Sequence, residues 1–259
     1  MSLALWLLLV AVLDLIRAGR DLSAARIVSA LAGLGLALCL LLAFLVQPAG
    51  IGWIAWVIAA VAVAGWVLGS AAAAAEFRGS VVRGVPGWVT ARLAATVGYA
   101  SLGIGVISLL LAGSAGGTAP GLLSSLSESG LGRFSGEWVL LVVALFLLQI
   151  STANVIVRLL LDLIGVPASD NEKKLRGGRV LGPMERLVIL GLGIGGSLLG
   201  AAVVVAAKAL LRFPELRVPK AGDPGYGGAS DVTEYFLVGS FASWLVALGA
   251  IGLAALAGG

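Results

Sequence analysis

RGGRVLGPMERLVILGLGIGGSLLGAAVVVAAKALLRFPEL, residues Arg176 to Leu216, contains Gly191-Leu192-Gly193-Ile194-Gly195-Gly196 and admits two folds. Read as strand, glycine turn and helix, it is the G-x-G-x-x-G fingerprint that places a dinucleotide pyrophosphate at a helix N-terminus. Read as a helix rich in small residues, it is a bilayer segment whose glycines let another helix approach closely. The nucleotide reading needs Leu187–Leu190 as a strand and Glu215 as the ribose-binding acid. Glu215, however, lies in Arg-Phe-Pro-Glu-Leu-Arg-Val-Pro, where two prolines and no apolar run leave no second strand. The bilayer reading pairs Gly191 with Gly195 and Gly196 with Gly200, and predicts one continuous helix packed on another span, with no cofactor.

Composition supports the bilayer. Of 259 residues 60% are hydrophobic and 12% charged, against ~45–50% and ~25% in soluble domains. With 13 acids and 17 bases there is too little polar side chain to cover a globule of this size. The bases stand in short clusters between apolar runs, as juxtamembrane bases do, which argues against nucleic acid as a partner. Histidine is absent, which removes the commonest general base and zinc ligand. The single cysteine, Cys39, can form no intramolecular disulfide.

A spanning helix needs ~20 largely apolar residues. Six runs qualify: Ile27–Val46, Ile51–Ala75, Trp88–Ala112, Trp138–Leu161, Leu187–Leu210 and Tyr235–Leu256. Leu3–Ile16 is shorter and carries Asp14. It is read as a seventh span rather than a signal peptide, because Arg17, Arg20 and Arg26 follow it and no base precedes it. The fold class is therefore all-α, a polytopic helix bundle forming one domain over residues 1–259.

Residues 17–26, 76–92 and 158–186 carry twelve bases, while 47–50 carry none and 114–137 only Arg133. The basic connections belong in the cytoplasm. With seven spans the N-terminus is outside and the C-terminus inside. Residues 208–231, with Lys208, Arg212, Arg217 and Lys220, then fall outside against the rule. A re-entrant element at Gly191–Gly200 would resolve this. A single crossing is expected instead, because Ala-Ala-Val-Val-Val-Ala-Ala after the glycines continues a helix without a lipid-exposed turn.

Two charged clusters are candidate sites. Lys208 and Arg212 share a helix face and Glu234 and Tyr235 open the next span, giving a basic patch suited to an anionic head group or small anionic solute, or else an interfacial ion-pair staple. At the opposite surface Arg158, Asp162, Glu185 and Arg186 form a second ion-pair cluster. No metal ligand set is visible. Gln149, Ser151, Thr152 and Asn154 read as interhelical glue, and Asp14 as a partner for a cytoplasmic arginine.

GGRVLGPMERLVIL, AAKALLRFPEL and EYFLVGSFASW resemble the closing helices of bacterial polytopic membrane proteins classed as a domain of unknown function. The likeness covers about 176–254, through Glu185, Arg186, Lys208, Arg212, Phe213, Glu234 and Tyr235. It departs at the Pro/Gly-rich insert Val218–Ser230, and implies a bacterial membrane protein without an activity. Three functions stay open: small-solute or ion transport, or binding of a membrane solute or lipid; an accessory or scaffold subunit that packs against itself or a membrane partner; and an enzyme on lipid phosphates, ranked last because Asp162 and Glu185 are its only acid pair.

Overall fold

The computed structural model describes residues 1–18, 25–46, 50–77, 90–112, 134–165, 178–212 and 228–258. They form nine helices, with no strand among the described residues: α1 Ser2–Ala18, α2 Ala25–Val46, α3 Gly52–Phe77, α4 Ala91–Ala112, α5 Gly136–Ile150, α6 Thr152–Leu163, α7 Gly178–Ile194, α8 Leu198–Arg212 and α9 Gly228–Gly258. Five stretches are long and apolar enough to cross a membrane: Ile27–Val46, Gly52–Phe77, Ala91–Ala112, Gly136–Leu163 and Leu237–Leu256. The all-α membrane class holds, but two of the seven expected spans are not among these five. α1 is 17 residues long, ~25 Å at 1.5 Å per residue, and the run Leu187–Leu210 is two helices.

The break lies in the glycines. Gly196 has φ +84°, its N–H donates to Gly193 O at 3.1 Å, and the Ser197 N–H donates to Leu192 O at 2.8 Å. That double closure is the Schellman motif, which needs a left-handed residue that glycine supplies without a Cβ clash. Ser197 then caps α8, with its hydroxyl 3.3 Å from the Gly200 N–H. A helix stop followed at once by a helix start outweighs the apolarity on both sides. With Leu187–Leu190 helical, the strand that a nucleotide fingerprint requires is also missing. Beyond the turn α7 and α8 pack against each other as a hairpin.

The helices sort into two compact units, Met1–Val155 with Ala257–Gly259, and Ile156–Leu256. In the first, α1 touches α2, α3, α4 and α5. The Trp6 indole donates to Ala59 O at 2.9 Å, Trp66 to Asp14 at 2.9 Å, and the Ser151 hydroxyl to Ala11 O at 2.9 Å. Residue numbers rise together in these contacts, so α1 runs parallel to α3 and α5. α3 and α4 are antiparallel: Gly65 faces Ser101, while Gly69 faces Ala94 and Gly98. α5 and α6 continue through Ser151, whose N–H donates to Leu147 O and whose carbonyl accepts from the Asn154 N–H, both at 3.1 Å. Ser135 caps α5, and Phe134 stacks on Trp138 with ring centroids 4.5 Å apart, at the start of the span as an interfacial aromatic should be.

In the second unit Ile189, Ala201 and Ala247 form a buried cluster joined by Leu192, Val204, Trp244 and Ile251. α7 runs parallel to α9. Arg186 reaches Ser243, and two turns along α7 Gly193 faces Ile251, so that a Cβ at Gly193 would lie 2.7 Å from Ile251 Cγ1.

Gly69 sets how closely α3 and α4 approach, because a Cβ there would lie 2.7 Å from Ala94 O and 2.8 Å from Gly98 N, both backbone atoms. Gly69→Ala is expected to cost about 1–3 kcal/mol through overpacking. Gly103→Ala, with nothing within 4 Å, should cost nothing. Thermal unfolding of the two purified variants in detergent checks the contrast; equal midpoints would contradict it.

Candidate functional site

Among the described residues the most deeply buried charge is Asp14, with no exposed surface. It stands in the last turns of α1, one turn before Arg17, so the pair shares a helix face. Arg17 Nη2 donates to Asp14 Oδ1 at 2.6 Å, and Trp66 Nε1 to Asp14 Oδ2 at 2.9 Å. Arg17 Nη1 reaches across to α3, donating to Val67 O at 3.0 Å and Ser70 Oγ at 2.9 Å. Ser70 in turn donates to Trp66 O at 2.6 Å. Trp66 and Ser70 are four residues apart on one face of α3, so a single helix face supplies the indole and hydroxyl that complete the site. The Thr152 hydroxyl is fully buried and lies beside the Asp14 carboxylate.

A second charged layer lies in Ile156–Leu256. Glu185 on α7 accepts from Lys208 on α8. The Arg186 guanidinium, 2% exposed, donates to Ser243 Oγ on α9 at 3.0 Å. Arg158 and Asp162 occupy successive turns of α6. Lys208 and Glu185 were expected on opposite surfaces; the hairpin brings them into contact. Arg212, Glu234 and Tyr235 lie in α8 and α9, but their side chains are outside the described residues, so the expected patch with Lys208 has one described member.

Of the four glycines expected to pack on another helix, Gly195 and Gly200 meet atoms of their own hairpin and Gly196 meets nothing within 4 Å. The close approach to α9 is made by Gly193, which the paired spacing passed over. Ser151 is interhelical glue as expected. Asn154 Nδ2 donates to Ile150 O at 2.8 Å, joining the start of α6 to the end of α5. Trp66 and Ser70 were missed, although a tryptophan and a serine one turn apart in a span, with an Asp-x-x-Arg elsewhere, were the available signal. A cleft of about 140 Å³ between the starts of α1 and α5, lined by Met1, Leu3, Ser135, Glu137 and Trp138, is smaller than the ~300–1,000 Å³ of drug-sized ligand pockets.

No family model, curated protein or solved structure matches this chain.

Removing one member of a buried ion pair strands the other, a loss of about 3–5 kcal/mol, whereas replacing both by apolar groups is often tolerated. Asp14→Leu should therefore destabilise strongly, and Asp14→Leu with Arg17→Leu less than Asp14→Leu alone. Unfolding in detergent of the singles and the double measures this, and a double variant as unstable as the sum of its singles would show that the two charges do not act as a pair.

Proposed function

We propose that the chain is a multi-pass protein of a bacterial inner membrane that binds or transports a small charged solute or lipid, with the Asp14, Arg17, Trp66, Ser70 set as its functional centre. The observation that carries this is the complete burial of Asp14 among membrane-length helices. Apolar residues of similar volume would hold α1 to α3 at least as well, and ionisable residues inside membrane bundles mark solute and ion pathways. Thr152 adds a buried hydroxyl beside the carboxylate.

A second reading, an accessory or scaffold subunit, is favoured by one face of α9. There Gly249 and Gly252 have nothing within 4 Å, and Phe241, Leu245 and Leu256 are exposed. Small residues on an outward helix face permit close packing of a partner helix. An enzyme acting on lipid phosphates falls further behind, since Glu185 of its acid pair is taken by Lys208.

The chain purified from native membranes, analysed by mass spectrometry for lipids, small solutes and proteins, tests the proposal. The wild type is expected to retain a solute or lipid that the Asp14→Leu/Arg17→Leu variant, still monodisperse in detergent, has lost. Identical inventories from the two proteins would contradict the solute reading, and a stoichiometric protein partner retained by both would install the scaffold reading.

A further inference from the structure

We infer that α7 and α8 form a re-entrant hairpin, which enters the bilayer from the face that carries the basic connections and returns to that same face. The inference rests on the chain residing in a membrane, and four observations carry it.

First, the chain reverses. The Schellman closure at Gly196 ends α7, Ser197 starts α8, and Glu185 and Lys208 meet at the open end of the hairpin. The turn is close to equidistant in sequence from both, as two antiparallel helices of equal rise require. Second, α9 runs parallel to α7, since Arg186 pairs with Ser243 and Gly193 faces Ile251. The next span therefore departs from the level of the hairpin base and rises alongside α7.

Third, the preceding span ends where the next begins. Gly239, near the start of Leu237–Leu256, faces Leu161, near the end of Gly136–Leu163, and a Cβ on Gly239 would lie 3.5 Å from Leu161 Cδ1. If residues 187–210 crossed the bilayer once, these two span ends would stand on opposite faces, ~30 Å apart. Contact between them requires an even number of passes in the intervening chain, which a hairpin supplies. Fourth, the charge count becomes regular. With the hairpin, Lys208, Arg212, Arg217 and Lys220 join Arg17 through Arg92 and Arg158 through Arg186 on one face, and of the 17 bases only Arg133 stands on the other.

The depth follows from α9. Gly193 and Ile251 mark the level near the tip, and Ile251 lies ~18 Å along the helix from Gly239 at 1.5 Å per residue, past the middle of a ~30 Å hydrocarbon layer. Irregular backbone at that depth must satisfy its own polar groups. The turn does so in large part: the Gly195, Gly196 and Ser197 amides donate to Gly191, Gly193 and Leu192 carbonyls, and the Ser197 hydroxyl and carbonyl accept from Gly200 and Ala201. Outward at the tip stand Leu198 and Leu199, 61% and 80% exposed, an apolar cap suited to hydrocarbon. Residues 213–227 accordingly lie on the cytoplasmic face and α9 emerges outside, which reverses the expected C-terminal location.

Single cysteines in a Cys39→Ser background, at Gly225→Cys and, as reference, Gly116→Cys in the connection between α4 and α5, are probed with a membrane-impermeant thiol reagent. The expected result is labelling of Gly116→Cys in intact cells and of Gly225→Cys only after lysis. Labelling of both in intact cells, of neither, or of Gly225→Cys alone would overturn the inference. Alkaline carbonate extraction of the same membranes separates the two claims: release of the protein would remove the membrane reading itself, whereas retention together with labelling of both cysteines would remove only the hairpin.

Discussion

A bilayer offers a peptide group no hydrogen-bond partner, so a chain can reverse inside one only where the turn closes on itself. The stretch from Gly191 to Ala201 meets that constraint with five glycines, a serine and four short backbone bonds. The arrangement of the second unit depends on it. Because the chain turns at Gly196, Glu185 and Lys208 neutralise each other at the hairpin base, α7 lies parallel to α9, and Arg186 finds the Ser243 hydroxyl. A continuous helix over the same residues would put Lys208 23 residues from Glu185, or ~35 Å of helix at 1.5 Å per residue, and leave neither charge with the other.

Buried charge recurs in both units with the same chemistry. Asp14 and Arg186 are each almost fully enclosed, and each is held by a group on a different helix, Trp66 or Ser243. In the first unit the pairing is denser, since Arg17 also takes the Val67 carbonyl and the Ser70 hydroxyl. The result is that α1, short for a span, is fixed along its length: Trp6 bonds to Ala59 near one end, Ala11 accepts from Ser151 in the middle, and Asp14 with Arg17 grips α3 at the other. We propose that α1 crosses the membrane in register with α3 and α5. With the re-entrant hairpin this gives six crossings.

The long helices were legible in the sequence because lipid leaves no alternative: a run such as Ile27–Val46 or Leu237–Leu256 must satisfy its backbone internally, and composition alone says so. The pairing of Asp14 with an arginine was legible for a related reason, since an isolated carboxylate among leucines needs a cation. In one stretch two signals compete. Apolarity over Leu187–Leu210 argues for a crossing, while Gly196-Ser197 spells a helix stop and start, and the local chemistry prevails. The charge count points the same way through Lys208, Arg212, Arg217 and Lys220. Gly193 was not legible as a contact, because which face a helix turns to its neighbour depends on tertiary packing that spacing within one helix does not encode. Gly195 and Gly200 had the spacing, but the turn at Gly196 sets them against atoms of their own hairpin.

The hairpin is the central claim, and the location of the end of α9 tests it most directly. Alkaline phosphatase, active only outside the cytoplasm, and a green fluorescent protein, bright only within it, are each fused after Gly259 and measured in the same cells. The account predicts high phosphatase activity and a dark fluorescent fusion. A bright fluorescent fusion with an inactive phosphatase would contradict it.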